Sequence, residues 1–161
     1  MKKTFQIALA ALAISAFAAA GSAIGPAPAH ASTVCDKFAS PSGADTAVGS
    51  EAAPLRNVET LSQALAPGQT GCLMDGTFAE QNEVQMRNPG ITLTAAPGAH
   101  PVLRTRLWIA ANRVTVENIA IDGRNARNLP SPTITGDDVV VRDNDVTNHH
   151  TTICFSIGSP D

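Results

Sequence analysis

The stretch Val114-Thr115-Val116-Glu117-Asn118-Ile119-Ala120-Ile121-Asp122 has a near copy 25 positions later, Val139-Val140-Val141-Arg142-Asp143-Asn144-Asp145-Val146-Thr147. The valines, the charged residue after them and the later aliphatic residue coincide. A third stretch, Ile91-Thr92-Leu93-Thr94, lies 23 positions before Val114. Self-similarity with a period of about 20 to 50 residues is typical of solenoids.

These repeats contain short strands and no intervening helix, so each turn of the solenoid must consist of strands and tight corners. Equivalent strands then stack in parallel, about 4.8 Å apart. Asn118 and Asn144 fall at the predicted corners, where their amides can bond to neighbouring backbone groups. A β-sandwich with a chance repeat is the alternative. We expect the side chains at alternate positions to point into the interior: Val114, Val116, Ile119, Ile121, Val139, Val141 and Val146.

The segment before the repeats predicts one short helix. Asn57 is a candidate N-cap, Pro67 ends the pattern, and residues 69–74 follow as a candidate strand. Residues 32–56 are rich in small and polar residues without an apolar period, and they predict an irregular leader. Apolar side chains recur at i, i+3 and i+7 in residues 57–66: Val58, Leu61 and Leu65.

The first 31 residues have the three parts of a signal peptide. Lys2 and Lys3 form a positive start, residues 7–20 are an apolar run with Ser15 as its one polar residue, and Ala29-His30-Ala31 is a small-x-small cleavage site. The run is shorter than the roughly twenty residues that a membrane-spanning helix needs. We therefore expect a secreted domain that begins at or near Ser32, in the periplasm if the host has an outer membrane, with no membrane association after cleavage.

Composition limits the classes of partner. The chain has 161 residues, with 11 basic and 14 acidic side chains. Loss of Lys2 and Lys3 with the signal peptide leaves nine basic side chains against fourteen, a net charge of about minus five. The remaining length suits one domain. The basic clusters and exposed aromatics of a nucleic-acid binder are missing, so we expect no nucleic-acid partner.

Three cysteines follow the cleavage site and would meet an oxidising compartment, where thiols pair. Cys35 and Cys72 bracket the first segment of the mature chain, and we expect this pair to form a disulfide. Cys154 is then left over. It is either a small buried hydrophobic residue or a cysteine whose partner belongs to chain that is absent here.

The entry to the repeats is similar to that of a known family. It runs Ala53-Pro54-Leu55-Arg56-Asn57-Val58-Glu59-Thr60-Leu61, continues through Ala64-Leu65-Ala66-Pro67-Gly68-Gln69-Thr70-Gly71-Cys72-Leu73 and ends at Gly76-Thr77-Phe78. With the repeats, it resembles the secreted bacterial right-handed parallel β-helix proteins of the pectate-lyase-like superfamily. The resemblance implies an all-β fold, a right-handed parallel β-helix over residues 57–161, with a short N-terminal capping helix. No matching cap follows the apolar residues 152–157, so we expect a solenoid that is incomplete at its C-terminal end.

This superfamily includes lyases, hydrolases, epimerases and non-enzymatic surface proteins. The resemblance therefore implies a secreted carbohydrate-active protein, possessing polysaccharide lyase-like or glycoside hydrolase-like features, with a polysaccharide as its partner. A non-catalytic surface or carbohydrate-binding module, or an inactive truncation product, is the alternative.

The polar residues of the second repeat are the first candidates for a site. If residues 139–146 form one strand, Asp143 and Asp145 share a face. Such carboxylates can hold Ca²⁺, or Asp145 can take part in acid–base chemistry on a glycosidic bond. The alternative is that these are turn residues, because Asp and Asn tolerate left-handed backbone geometry.

The remaining candidates come from the resemblance. In similar lyases a cation neutralises a uronate carboxylate and a base removes the adjacent ring proton. Arg124 is the expected cation, with Arg127 and Arg142 as alternatives. His149 or His150 is the expected base, since histidine titrates near neutral pH. Trp108 is either a platform for a sugar ring or a packing residue.

Overall fold

The computed structural model describes residues 34–79, 82–122, 131–147 and 154–158. The predicted signal peptide, residues 1–31, lies outside these ranges. No helix within them is long and apolar enough to cross a membrane.

Short strands and one helix make up the described residues. The helix α1 is Val58–Ala64. The strands are β1 (Lys37–Ala39), β2 (Thr70–Leu73), β3 (Gly76–Phe78), β4 (Val84–Met86), β5 (Thr92–Ala95), β6 (Pro101–Leu103), β7 (Leu107–Ile109), β8 (Thr115–Glu117), β9 (Ala120–Asp122), β10 (Thr133–Ile134), β11 (Val140–Arg142), β12 (Asp145–Thr147) and β13 (Ser156–Ile157).

The strands form three parallel sheets that the chain visits in turn. The first sheet has the order β1-β2-β5-β8-β11, the second β3-β6-β9-β12 and the third β4-β7-β10-β13. Four coils follow from this order: coil 1 is β2–β4, coil 2 is β5–β7, coil 3 is β8–β10 and coil 4 is β11–β13. The predicted parallel β-solenoid is confirmed, and the sandwich alternative is wrong, because every strand pair is parallel.

The offsets of 23 and 25 positions between the sequence repeats equal the offsets between residues paired on neighbouring strands. Thr115 lies beside Val140, 25 positions later, and Thr92 lies beside Thr115, 23 positions later. The predicted interior residues of coil 3 are fully buried, with Val114 and Val116 at 0% exposure. Their counterparts in coil 4 are half-buried and pack against the same core: Val139, Val141 and Val146.

The corner between the first and second sheets uses left-handed backbone. Asn118 has φ 57° and Asp143, its counterpart one coil later, has φ 55°. Short polar side chains tolerate this conformation better than most. The next residue, Asn144, donates its Nδ2 to the carbonyl of Val116 at 2.9 Å and accepts from the amide of Ile119 at 3.0 Å. The predicted bonding between a corner amide and the neighbouring coil is therefore confirmed for Asn144.

Helix α1 packs against β1, β2 and β4 at the start of the solenoid. Val58, Leu61 and Leu65 are buried, as the apolar spacing predicts. Asn57 occupies the N-cap position, but its side chain bonds to Asp45 at 2.6 Å rather than to the helix.

The C-terminal end of α1 is held from the next coil. Asn88, in the loop after β4, donates its amide to the carbonyls of Ser62, Gln63 and Leu65 at 3.2, 3.1 and 2.9 Å. These carbonyls would otherwise lack helical partners, because the last turn of a helix leaves its C=O groups unpaired.

Part of the leader that we predicted as irregular is a strand. β1 pairs with β2 through Lys37, Phe38 and Ala39, which satisfies the backbone groups along the outer edge of β2. The Cys35–Cys72 disulfide, with a Cα–Cα distance of 5.6 Å, ties β1 to this edge and confirms the predicted pairing. Cys154 is free and exposed, so of its two interpretations the buried hydrophobic residue is wrong.

Candidate functional site

One corner of the solenoid differs between coils. The chain passes from the first to the second sheet through two residues in coils 1, 3 and 4, but through five in coil 2, residues 96–100. This longer loop, here called the ridge, stands between two cavities on the surface. Its first four residues carry small side chains, so the ridge is low: Ala96, Pro97, Gly98 and Ala99.

An open groove of about 560 Å³ lies on the side of the ridge that faces coils 3 and 4. The ridge, the start of β6 and residues 118–120 line it. Asp143 and Asp145 from coil 4 complete the lining. His100 also lines the groove, and its backbone amide donates to Asp75 Oδ1 at 2.7 Å, which anchors the end of the ridge.

Asp143 and Asp145 meet in this groove for a different reason from the one we predicted. Residues 139–146 are not one strand: β11 ends at Arg142 and β12 begins at Asp145, so strand alternation does not place the two carboxylates. Asp143 is a left-handed corner residue, as the turn alternative requires, whereas Asp145 lies on the outer face of β12. Both are exposed, and within the described ranges no hydrogen bond or ion pair engages either carboxylate.

The outer face of the second sheet continues from Asp145 to an ion pair that the sequence analysis missed. Arg104 Nε lies 3.3 Å from Asp122 Oδ2, and the Arg104 side chain is 47% exposed. Thr147 is the register partner of Asp122 in the next coil. The pair was hidden because β6 and β9 are offset by 18 positions, as in Val102 beside Ala120, rather than by the 23 or 25 of the repeats.

Arg124, His149 and His150 lie outside the described residues. Their segments leave adjacent strands of the second sheet, since β9 ends at Asp122 and β12 ends at its register partner Thr147. Arg124 and His149 each follow these partners by two positions.

Comparison with known proteins rests on the fold. No family model matches the chain, and a search of curated proteins gives no match. Among solved structures, a rhamnogalacturonan lyase is similar, with a TM-score of 0.52 and 13% sequence identity. The match covers 70% of this chain and 37% of the lyase. The chain shares the parallel β-helix fold of this lyase. The predicted resemblance is confirmed for the fold.

Trp108 and Arg142, two further candidate site residues, are engaged by other side chains of the protein. Trp108 lies on the outer face of the third sheet, where its indole nitrogen donates to Thr135 Oγ1 at 3.0 Å and the Arg106 guanidinium lies 5.5 Å from the ring centroid. These contacts favour the packing role. Arg142 pairs with Glu117 at 2.6 Å. Its guanidinium is therefore already neutralised by a carboxylate of the preceding coil.

A cation site is incomplete within the described part of the β-helix. That part holds no group of three or more His, Cys, Asp or Glu residues arranged to bind a metal. Ca²⁺ takes about six to eight oxygen ligands. Asp143 and Asp145 fit Ca²⁺ in chemistry, as exposed carboxylates, but the remaining oxygens would have to come from a ligand or from water.

Proposed function

We propose that this β-helix is a secreted protein that binds a polysaccharide in the groove beside the ridge and cleaves it by lyase-like or hydrolase-like chemistry. The groove carries the proposal. It crosses from coil 2 to coil 4, a length of about 10 Å at about 4.8 Å per coil, which is room for about two sugar units. The similar structure is by its name a polysaccharide lyase, which supports the same class of ligand.

The two carboxylates of the groove determine which kinds of sugar can bind there. Asp143 and Asp145 carry negative charge without a protein counter-ion in the described ranges, so an acidic sugar could enter beside them only with a cation between. Ca²⁺, if bound, supplies that bridging charge. For a neutral sugar, Asp145 serves instead as an acceptor or as one of the two carboxyl groups of a hydrolase.

The lyase version of the proposal needs a second set of residues. Arg124 is the proposed cation that neutralises a uronate carboxylate, because Arg104, like Arg142, already pairs with a carboxylate of the protein. His149 or His150 is the proposed base that removes the ring proton. Arg124 and His149 each come two positions after the register partners Asp122 and Thr147 on adjacent strands, which supports this assignment.

Secretion belongs to the same proposal. The Cys35–Cys72 disulfide indicates an oxidising compartment, which agrees with the predicted signal peptide and with a polysaccharide outside the cell.

Affinity electrophoresis of the protein through gels that contain single polysaccharides tests the binding. The panel pairs acidic with neutral polymers, each with Ca²⁺ and with a chelator. We expect retardation by at least one polymer, and Ca²⁺ dependence if that polymer is acidic. Normal mobility in every gel would contradict the proposal.

Product assays on the retained polymer test the cleavage. A lyase yields unsaturated products that absorb in the ultraviolet, and a hydrolase yields reducing ends without that absorbance. Asp145→Asn should reduce either signal. Binding without either product would reject the enzyme and leave a carbohydrate-binding module.

A further inference from the structure

A second cavity of about 350 Å³ lies on the other side of the ridge, toward coil 1 and the leader. The ridge residues 96–99 line both this cavity and the groove. Because the ridge is low, a chain that occupies the groove and runs along the solenoid axis can cross it. The next unit of that chain would then enter the second cavity.

The walls of the second cavity suit a sugar ring. Phe38 supplies an aromatic side chain, which the groove lacks, and Met74 and Cys35 extend the apolar surface. Aromatic rings pack well against the apolar faces of ligands. Two carboxylates, Glu51 and Asp75, stand at the same cavity as acceptors for hydroxyl groups.

The charge of the cavity selects among sugars. Its lining residues include Glu51 and Asp75 and no lysine, arginine or histidine. A uronate carboxylate placed there would face two like charges, which is unfavourable in a partly enclosed site. Asp75 is held in position by the backbone amide of His100 at 2.7 Å, so it does not swing away to relieve the repulsion.

We propose that the second cavity is a subsite for an uncharged sugar unit of the same polysaccharide, with Phe38 as its platform and with Glu51 and Asp75 as its acceptors and its filter against uronates. This inference rests on the proposed function, because it takes the ligand to be a polysaccharide that already occupies the groove.

The methionines allow a direct test. The chain has three, Met1, Met74 and Met86. Met74 lines the cavity, whereas Met86 is fully buried in the core. In protein labelled with ¹³C at the methionine methyl groups, the Met74 signal reports on the cavity and Met86 serves as the internal control. The probes are three neutral trisaccharides, cellotriose, xylotriose and mannotriose, and the charged trigalacturonate.

We expect at least one neutral trisaccharide to shift the Met74 signal and to leave Met86 unchanged. Phe38→Leu, which keeps an apolar side chain but removes the ring, should weaken that binding by about threefold to tenfold. In the double variant Glu51→Gln and Asp75→Asn, trigalacturonate should begin to shift Met74, because the repulsion is gone while the acceptor for the His100 amide remains.

The outcomes separate the two proposals. If polymers are retained in the gels but no neutral trisaccharide moves Met74, the subsite is wrong and the groove stands. If trigalacturonate shifts Met74 in the unmodified protein, the charge filter is wrong. If no polymer is retained and no trisaccharide moves Met74, the proposed function fails and the subsite fails with it.

Discussion

Loss of the Cys35–Cys72 disulfide should lower the free energy of unfolding by about 4 kcal/mol. The bond joins residues 37 positions apart, and closing a loop of that length removes about 13 cal/mol/K of entropy from the unfolded chain, or about 4 kcal/mol at 25 °C. Domains of this size are stable by about 5 to 15 kcal/mol in total. The bond therefore supplies a large share of the stability, and it does so at β1, the first strand of the first sheet.

Cys35→Ala opens the disulfide with little loss of packing, because Cys35 is only half-buried whereas Cys72 is fully buried. Urea unfolding, followed by the fluorescence of the single tryptophan, gives the free energy of each variant. Cys154→Ala is the matched control, since that cysteine is free and exposed, and it should change stability by less than about 0.5 kcal/mol. A loss below about 1 kcal/mol for Cys35→Ala, or an equal loss for Cys154→Ala, would refute the reasoning.

Asn144→Ala leaves the buried amide of Ile119 unpaired and removes a second donor from the carbonyl of Val116, which β11 also engages, so the free energy of unfolding should fall by about 1 to 3 kcal/mol in urea titrations. Asn144→Asp keeps the acceptor for the Ile119 amide but sets a carboxylate oxygen against the Val116 carbonyl, so it should not restore the full stability. Leu93→Ala empties a fully buried position of the first sheet and should cost about 2 to 5 kcal/mol, while Thr92→Ala on the opposite face should cost far less by the same titration. Asn88→Ala removes three bonds to the end of α1, and hydrogen exchange of the amides in 58–64 should accelerate more than exchange in β8.

The repeating part of the fold was predictable because its period is written in the side chains. Val114 and Val139 occupy the same inward position in coils 3 and 4, and their offset of 25 is the register of β8 and β11. The capping helix was predictable for a similar reason, since Val58, Leu61 and Leu65 leave a single apolar face.

Features that depend on departures from the period were not predictable. β1 is three residues long, and its pairing comes from the free edge of β2 rather than from its own pattern. In the sequence, residues 139–146 look like one continuous strand, because aspartate also occurs on exposed strand faces. The corner at Asp143 was therefore not predicted. The Arg104–Asp122 pair needs the shortened offset between β6 and β9, which follows from the longer corner in coil 2.

The central claim is that a polysaccharide lies in the groove beside the ridge, and one comparison of binding constants tests it most directly. Asp143 and Asp138 are both exposed corner aspartates with φ 55°, but only Asp143 lines the groove. For a polymer that the gels retain, Asp143→Asn should raise the dissociation constant by about tenfold, because one charge-assisted contact is lost. Asp138→Asn should leave the dissociation constant unchanged. Equal affinities for both variants and the unmodified protein would contradict the claim.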